Sequence, residues 1–175
     1  MFEDYIEDAY SLAISARRET DERVAKRYYR AAIFYAVSSI EAFLNFVGET
    51  LEEGGKVPTY EIAFLKDKKF GIAGDSFEML SQMEFHKIEA KLRFLIKKHA
   101  KKYDLGSEPS WENFIVFKRF RDELVHPRKM EDEISLKEYD EIVRMGLNST
   151  IEIMDILCKG LFNKGLRKKV VEMAL

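Results

Sequence analysis

An arginine, a carboxylate and a histidine fall within the six residues Arg121-Asp122-Glu123-Leu124-Val125-His126, and Pro127 follows directly. No other stretch of the chain gathers groups suited to phosphate chemistry. Histidine titrates near neutral pH and can take or give a proton. The planar guanidinium fork of Arg121 can hold non-bridging phosphate oxygens and stabilise the charge of a pentavalent transition state. A carboxylate such as Asp122 can fix the imidazole tautomer and favour its protonated form. By itself Arg-x4-His is a weak pattern. A histidine that ends a helix is more often a cap, and a neighbouring Asp–Arg more often a surface pair.

The element that must position these groups is an aromatic-rich helix. Ser110 caps it, it runs over 111–125, and Pro127 ends it, because proline disfavours helical geometry in the residue before it. Within a straight helix Arg121 and His126 diverge by about 140°, so they converge only if the helix ends and the chain turns. Asp122 lies one turn before His126 and can reach it if that turn persists. The negative end of the helix dipole also favours a protonated ring. On the helical wheel Phe117, Phe120 and Leu124 form one apolar face. Trp111, Phe114 and Val125 form a second, roughly opposite, with Arg121 at the border. A helix apolar on both sides is buried on both sides. The second face is therefore expected to meet a partner, most simply another copy of the chain, the alternative being that the domain's own loop or terminal helix covers Trp111.

The other elements read as helices. Segment 3–18 is the first. The second follows an N-cap at Thr20 and runs to Glu53, with Ile33, Val37, Ile40, Leu44, Val47 and Leu51 as its core stripe. Gly54-Gly55 stops it. A short helix is expected near 60–67. A third long helix is expected after Asp75, with Glu78 in a capping box, reaching Tyr103. Ser135 and Glu138 open a fifth, to Cys158. A short helix is expected in the tail 160–174. No strand alternation or internal repeat is read. The expected fold is all-α: an up-and-down four-helix bundle core with one or two extra short helices, in one domain over residues 1–175.

Composition narrows the function classes. The net charge of -2 argues against coating nucleic acid through bulk charge. One cysteine, Cys158, excludes an intramolecular disulfide framework and a multi-cysteine zinc site. No His, Cys or carboxylate cluster has metal-ligand spacing, so no metal or cofactor is expected. No apolar run is read as a membrane span, the acidic start Met1-Phe2-Glu3-Asp4 lacks a signal peptide's basic region, and a cytoplasmic location is expected.

Arg121 to Pro127 resembles the signature of the HEPN superfamily, an arginine and a polar residue followed by a histidine at the close of a helix. The segment Ala31-Ala32-Ile33-Phe34-Tyr35-Ala36-Val37-Ser38-Ser39-Ile40-Glu41-Ala42-Phe43-Leu44-Asn45 also resembles the second-helix region of several HEPN groups. The likeness spans residues 20–160 in architecture and these two stretches in sequence. It implies a four-helix core, a homodimer, and a composite cleft where two Arg/His pairs face each other. It implies a metal-independent endoribonuclease of the toxin or defence type. The 2′-hydroxyl of RNA attacks, His126 moves the proton, Arg121 holds the phosphate and Asp122 orients His126. The products are a 2′,3′-cyclic phosphate and a 5′-hydroxyl. The family also contains members that no longer cleave RNA, so the alternative is a non-catalytic module that dimerises or binds a nucleotidyltransferase through the Trp111/Phe114 face. In some HEPN toxins of toxin–antitoxin pairs a nucleotidyltransferase modifies a tyrosine two residues after the histidine. Arg128 stands there, which speaks against that modification but not against cleavage.

Further candidates flank the motif. Ser38, Glu41 and Asn45 form a polar stripe on the second helix, read either as lining the cleft beside Arg121, with Glu41 pairing to it, or as facing solvent. Lys118, Arg119, Arg128 and Lys129 could hold an RNA backbone, but acidic residues interrupt that cluster. Lys97, Lys98, Lys101 and Lys102 could also hold an RNA backbone, but read first as a solvated helix end. His86 and His99 read as surface residues and Cys158 as core.

Overall fold

The computed structural model describes residues 1–104, 107–125 and 134–175. The fold is mostly helical, with seven helices and one two-stranded sheet among the described residues. The helices are α1 (Phe2–Arg18), α2 (Glu22–Glu53), α3 (Thr59–Leu65), α4 (Ile88–His99), α5 (Pro109–Val125), α6 (Leu136–Phe162) and α7 (Lys168–Val171). Strands β1 (Lys68–Ala73) and β2 (Ser76–Met83) form an antiparallel hairpin between α3 and α4.

The long helix α2 is the spine. It packs against α1, α5 and α6 and touches α3 and α4. Its N-cap is Asp21 rather than Thr20, because the Asp21 carboxylate accepts from the Arg23 and Val24 amides. Its buried stripe of Ile33, Val37, Ile40, Leu44 and Val47 is at most 2% exposed, and it merges with Ile6, Ala9 and Ala13 of α1 and Leu147 and Met154 of α6. One 18-residue window of α2 is apolar enough to match a membrane span in composition, contrary to the expectation from sequence, but 56% of that window is buried in the fold, as suits a core helix.

The largest departure from expectation lies after Asp75. A long helix to Tyr103 does not form. Gly74 has φ +64, the geometry a tight hairpin turn favours at its first central residue, and Ala73 pairs with Ser76 across it. The hairpin takes up residues to Met83, and α4 starts only at Ile88. The Ser76–Glu78 contact is a side-chain hydrogen bond within β2 rather than a helix cap. Asp67, at φ 53, closes the hairpin's base. Its carboxylate accepts from the His86 amide at 2.8 Å and pairs with buried Lys91 at 2.6 Å.

The capping box on α6 forms as read: Ser135 accepts from the Glu138 amide, and Glu138 reaches back to the Ser135 amide. The helix runs past Cys158 to Phe162 and ends at Asn163 in left-handed geometry.

Candidate functional site

Helix α5 is fixed on three sides before it reaches Arg121. Phe117 is fully buried and lies directly over Gly146 of α6, where a Cβ would overlap its ring. Phe120 meets fully buried Tyr139 edge-on at 5.8 Å, and Tyr139 stacks on Tyr29 of α2 at 6.1 Å. Trp111 is 4% exposed and Phe114 0%, with the Arg93 guanidinium 4.6 Å from the Trp111 ring centroid. The expectation that Trp111 and Phe114 await a partner is therefore corrected: the chain covers both by itself. The apolar residues α5 leaves open are Val116, 51% exposed, and Val125, 43% exposed.

With α5 so placed, Arg121 projects between two carboxylates. Its Nη2 lies 3.5 Å from Glu41 Oε1 on α2, and its Nε 3.2 Å from Asp122 Oδ1. The Nε–H has no hydrogen-bond acceptor of suitable geometry despite that proximity, so the Asp122 contact is electrostatic rather than a formed bond. The Arg121 side chain is 21% exposed. Asp122 also accepts from Lys118 Nζ at 2.9 Å, and Lys118 reaches Glu89 of α4 at 3.2 Å. Burial lowers the Lys118 pKa, and the hydrogen bonds to Asp122 and Glu89 outweigh it, leaving the ammonium above its ordinary value. Lys118 is thus engaged by two carboxylates rather than standing free.

The polar stripe on α2 lies on the solvent side. Ser38 is half-buried, while Glu41 and Asn45 are exposed. The structure brings Glu41, Lys118, Arg121 and Asp122 into one charged network joining α2, α4 and α5. Ser38 and Asn45 make no side-chain hydrogen bond to it among the described contacts. His126, Pro127, Arg128 and Lys129 lie outside the described residues. Glu89 was not singled out in the sequence. Nothing in its local pattern marks it, because its role depends on where the hairpin delivers the start of α4.

Two histidines differ from the surface reading. His86 is 25% exposed with its ring edge-on to Phe64 at 4.6 Å. His99 has a buried Nε2 without a hydrogen-bond partner, and its pKa is lowered by burial and then by Lys98. Cys158 is buried, and burial pushes its thiol up to about 11, which leaves it protonated and unreactive at neutral pH. No group of three or more His, Cys, Asp or Glu side chains among the described residues is arranged to hold a metal. Comparison with family models, curated proteins and solved structures finds no match to the chain.

Proposed function

We propose that this chain is a metal-independent endoribonuclease of the HEPN type, with an up-and-down four-helix core formed by α1, α2, α5 and α6, acting as a homodimer. The observation that carries the reading is the position of Arg121. A half-buried guanidinium beside Glu41 sits one turn before the end of α5, five residues ahead of His126 in the chain. Arg121 binds the scissile phosphate, His126 transfers the proton of the 2′-hydroxyl, Asp122 orients His126, and Glu41 sets the direction of the guanidinium.

A second reading has its own observation. Arg121 is already paired with carboxylates of its own chain, as befits a structural arginine in a non-catalytic, partner-binding module. The two separate in one assay. Purified protein is incubated with mixed single-stranded RNA in EDTA. Cleavage to 2′,3′-cyclic phosphate ends, falling by roughly 10²-fold or more in His126→Ala, is the expected result. Equal cleavage by His126→Ala, or none by the parent chain as a dimer, gives the site to the module.

A further inference from the structure

The β-hairpin carries an apolar face that no described part of the chain covers. Register places Phe70 opposite Met79 and Ile72 opposite Phe77 on that face. Ile72 is 68% exposed and Phe77 69%. The rings of Phe70 and Phe77 lie nearly parallel at 5.9 Å, and Tyr60, 55% exposed, meets Phe70 edge-on at 6.1 Å. A cluster of open aromatic rings at this density marks a binding surface rather than scattered surface residues.

The cations beside it gather at its base. Lys68 lies at the base of the hairpin opposite Met83, and Lys69 and Lys87 are exposed there. None of these three lysines takes part in an ion pair among the described residues. Of the nearby acids, Asp67 holds Lys91 at 2.6 Å, Asp75 stands at the turn, and exposed Glu84 lies 3.8 Å from His86. Glu78 accepts from Ser76 and falls opposite Gly71, on the other face. On a chain of net charge -2, the base of the hairpin therefore offers unpaired cations beside stacked rings. The apolar rings alone would suit a second copy as well, and it is the exposed lysines at the base that favour an anionic partner.

We infer that this face is a platform for single-stranded RNA, whose bases stack on Phe77, Phe70 and Tyr60 while Lys68 and Lys69 meet its phosphates. The inference rests on the reading that the chain acts on RNA and says how RNA is seated. The hairpin's exit is tied to the proposed catalytic arginine through successive contacts. Glu89, two residues past Lys87, pairs with Lys118 at 3.2 Å; Lys118 pairs with Asp122 at 2.9 Å; and Asp122 lies against Arg121. Paired RNA keeps its bases stacked inside the helix and cannot use such a surface, so the platform selects unpaired strands.

The test is fluorescence anisotropy with a 5′-labelled mixed-sequence single strand and a duplex of equal length, in a His126→Ala background that keeps the RNA intact. The single strand binds more tightly than the duplex. Phe77→Ser weakens single-strand binding about tenfold. Lys68→Ala with Lys69→Ala lowers the slope of log affinity against log salt by roughly 0.7 per lysine. Circular dichroism checks that the variants keep their helicity. Parental affinity in both variants, equal binding of duplex, or no binding at all overturns the platform. So does Phe77→Ser splitting a dimer in light scattering with RNA affinity unchanged, which assigns the face to a second copy. Failure of the ribonuclease reading appears elsewhere, as cleavage indifferent to His126→Ala, and leaves the binding comparison intact.

Discussion

Arg121 has two carboxylate neighbours that do different things. Glu41, 3.5 Å away on another helix, sets where the guanidinium points across the gap between α2 and α5. Asp122 shares its charge with Lys118, so its pull on Arg121 is diluted. If the arginine binds a phosphate, geometry matters beyond charge, because lysine lacks the planar fork. Arg121→Lys is expected to lower RNA cleavage by about 10²-fold while the thermal midpoint stays near that of the parent; a wild-type rate would make the arginine a structural cation. The Arg121–Glu41 pairing was legible in the sequence as one of two readings, since Ser38, Glu41 and Asn45 recur at helical spacing. Which way the stripe faced was not legible, because that depends on the docking of α5.

A second residue-scale cluster sits where α1, α2 and α6 meet. Asp140 accepts from Tyr29 at 3.0 Å and from Arg17 at 2.6 Å. Burial, then the bond to Asp140, pushes the Tyr29 hydroxyl from 10.0 up to about 12. The folded state therefore keeps a proton that the unfolded chain releases. The stability this contributes is fully present below pH 10 and is lost as pH rises toward 12, a change of roughly 2 kcal/mol. Urea unfolding of Tyr29→Phe across that range is expected to give a flatter curve than the parent. An identical slope would mean that another group titrates there.

At the scale of elements, α6 and the hairpin mark the two ends of what sequence can tell. Ser135 and Glu138 open α6 through contacts within one turn, so their pattern suffices to place its start. Asp75 and Glu78 carry a similar local signature, yet Ser76–Met83 is a strand. The competing signal was the Gly74-Asp75 pair, whose positive φ at glycine suits a two-residue hairpin turn. The helix-forming residues Glu78, Met79 and Leu80 hid it, because strand preference depends on packing context more than helix preference does. Trp111 fails for a related reason. Its cover includes Arg93 of α4, and where α4 starts depends on the hairpin that precedes it.

The α5–α6 contact gives the element-scale prediction. Gly146 lets Phe117 lie against the α6 backbone, and an added methyl would strike the ring. Phe117 is fully buried, so any shift of its ring must displace core neighbours. Gly146→Ala is expected to destabilise the fold by about 1–3 kcal/mol, opposing the gain a helix normally draws from alanine. A matching loss of cleavage at temperatures where the variant remains folded would show that α5 carries Arg121 with it. Chemical denaturation and a rate measured well below the midpoint check both parts.

For the whole molecule, the question is where one arginine finds a histidine. Helix α5 stays helical through Val125, the residue immediately before His126. Were α5 to continue by one more residue, positions 121 and 126 would be directed about 140° apart. A second copy related by a two-fold axis removes the difficulty, because the partner's imidazole can approach the guanidinium from across the interface. The open residues Val116 and Val125 on α5 offer the apolar part of such a contact. The consequence is complementation. Arg121→Ala and His126→Ala are each inactive alone. Mixed, exchanged and allowed to re-pair at random, half the dimers are mixed, and each restores one of two composite sites, so activity returns to about a quarter of the parent's. If both groups act within one chain, no mixed dimer contains an intact pair and the mixture stays inactive. A titration of one variant into the other, read by cleavage rate and by light scattering for the dimer, separates the two outcomes.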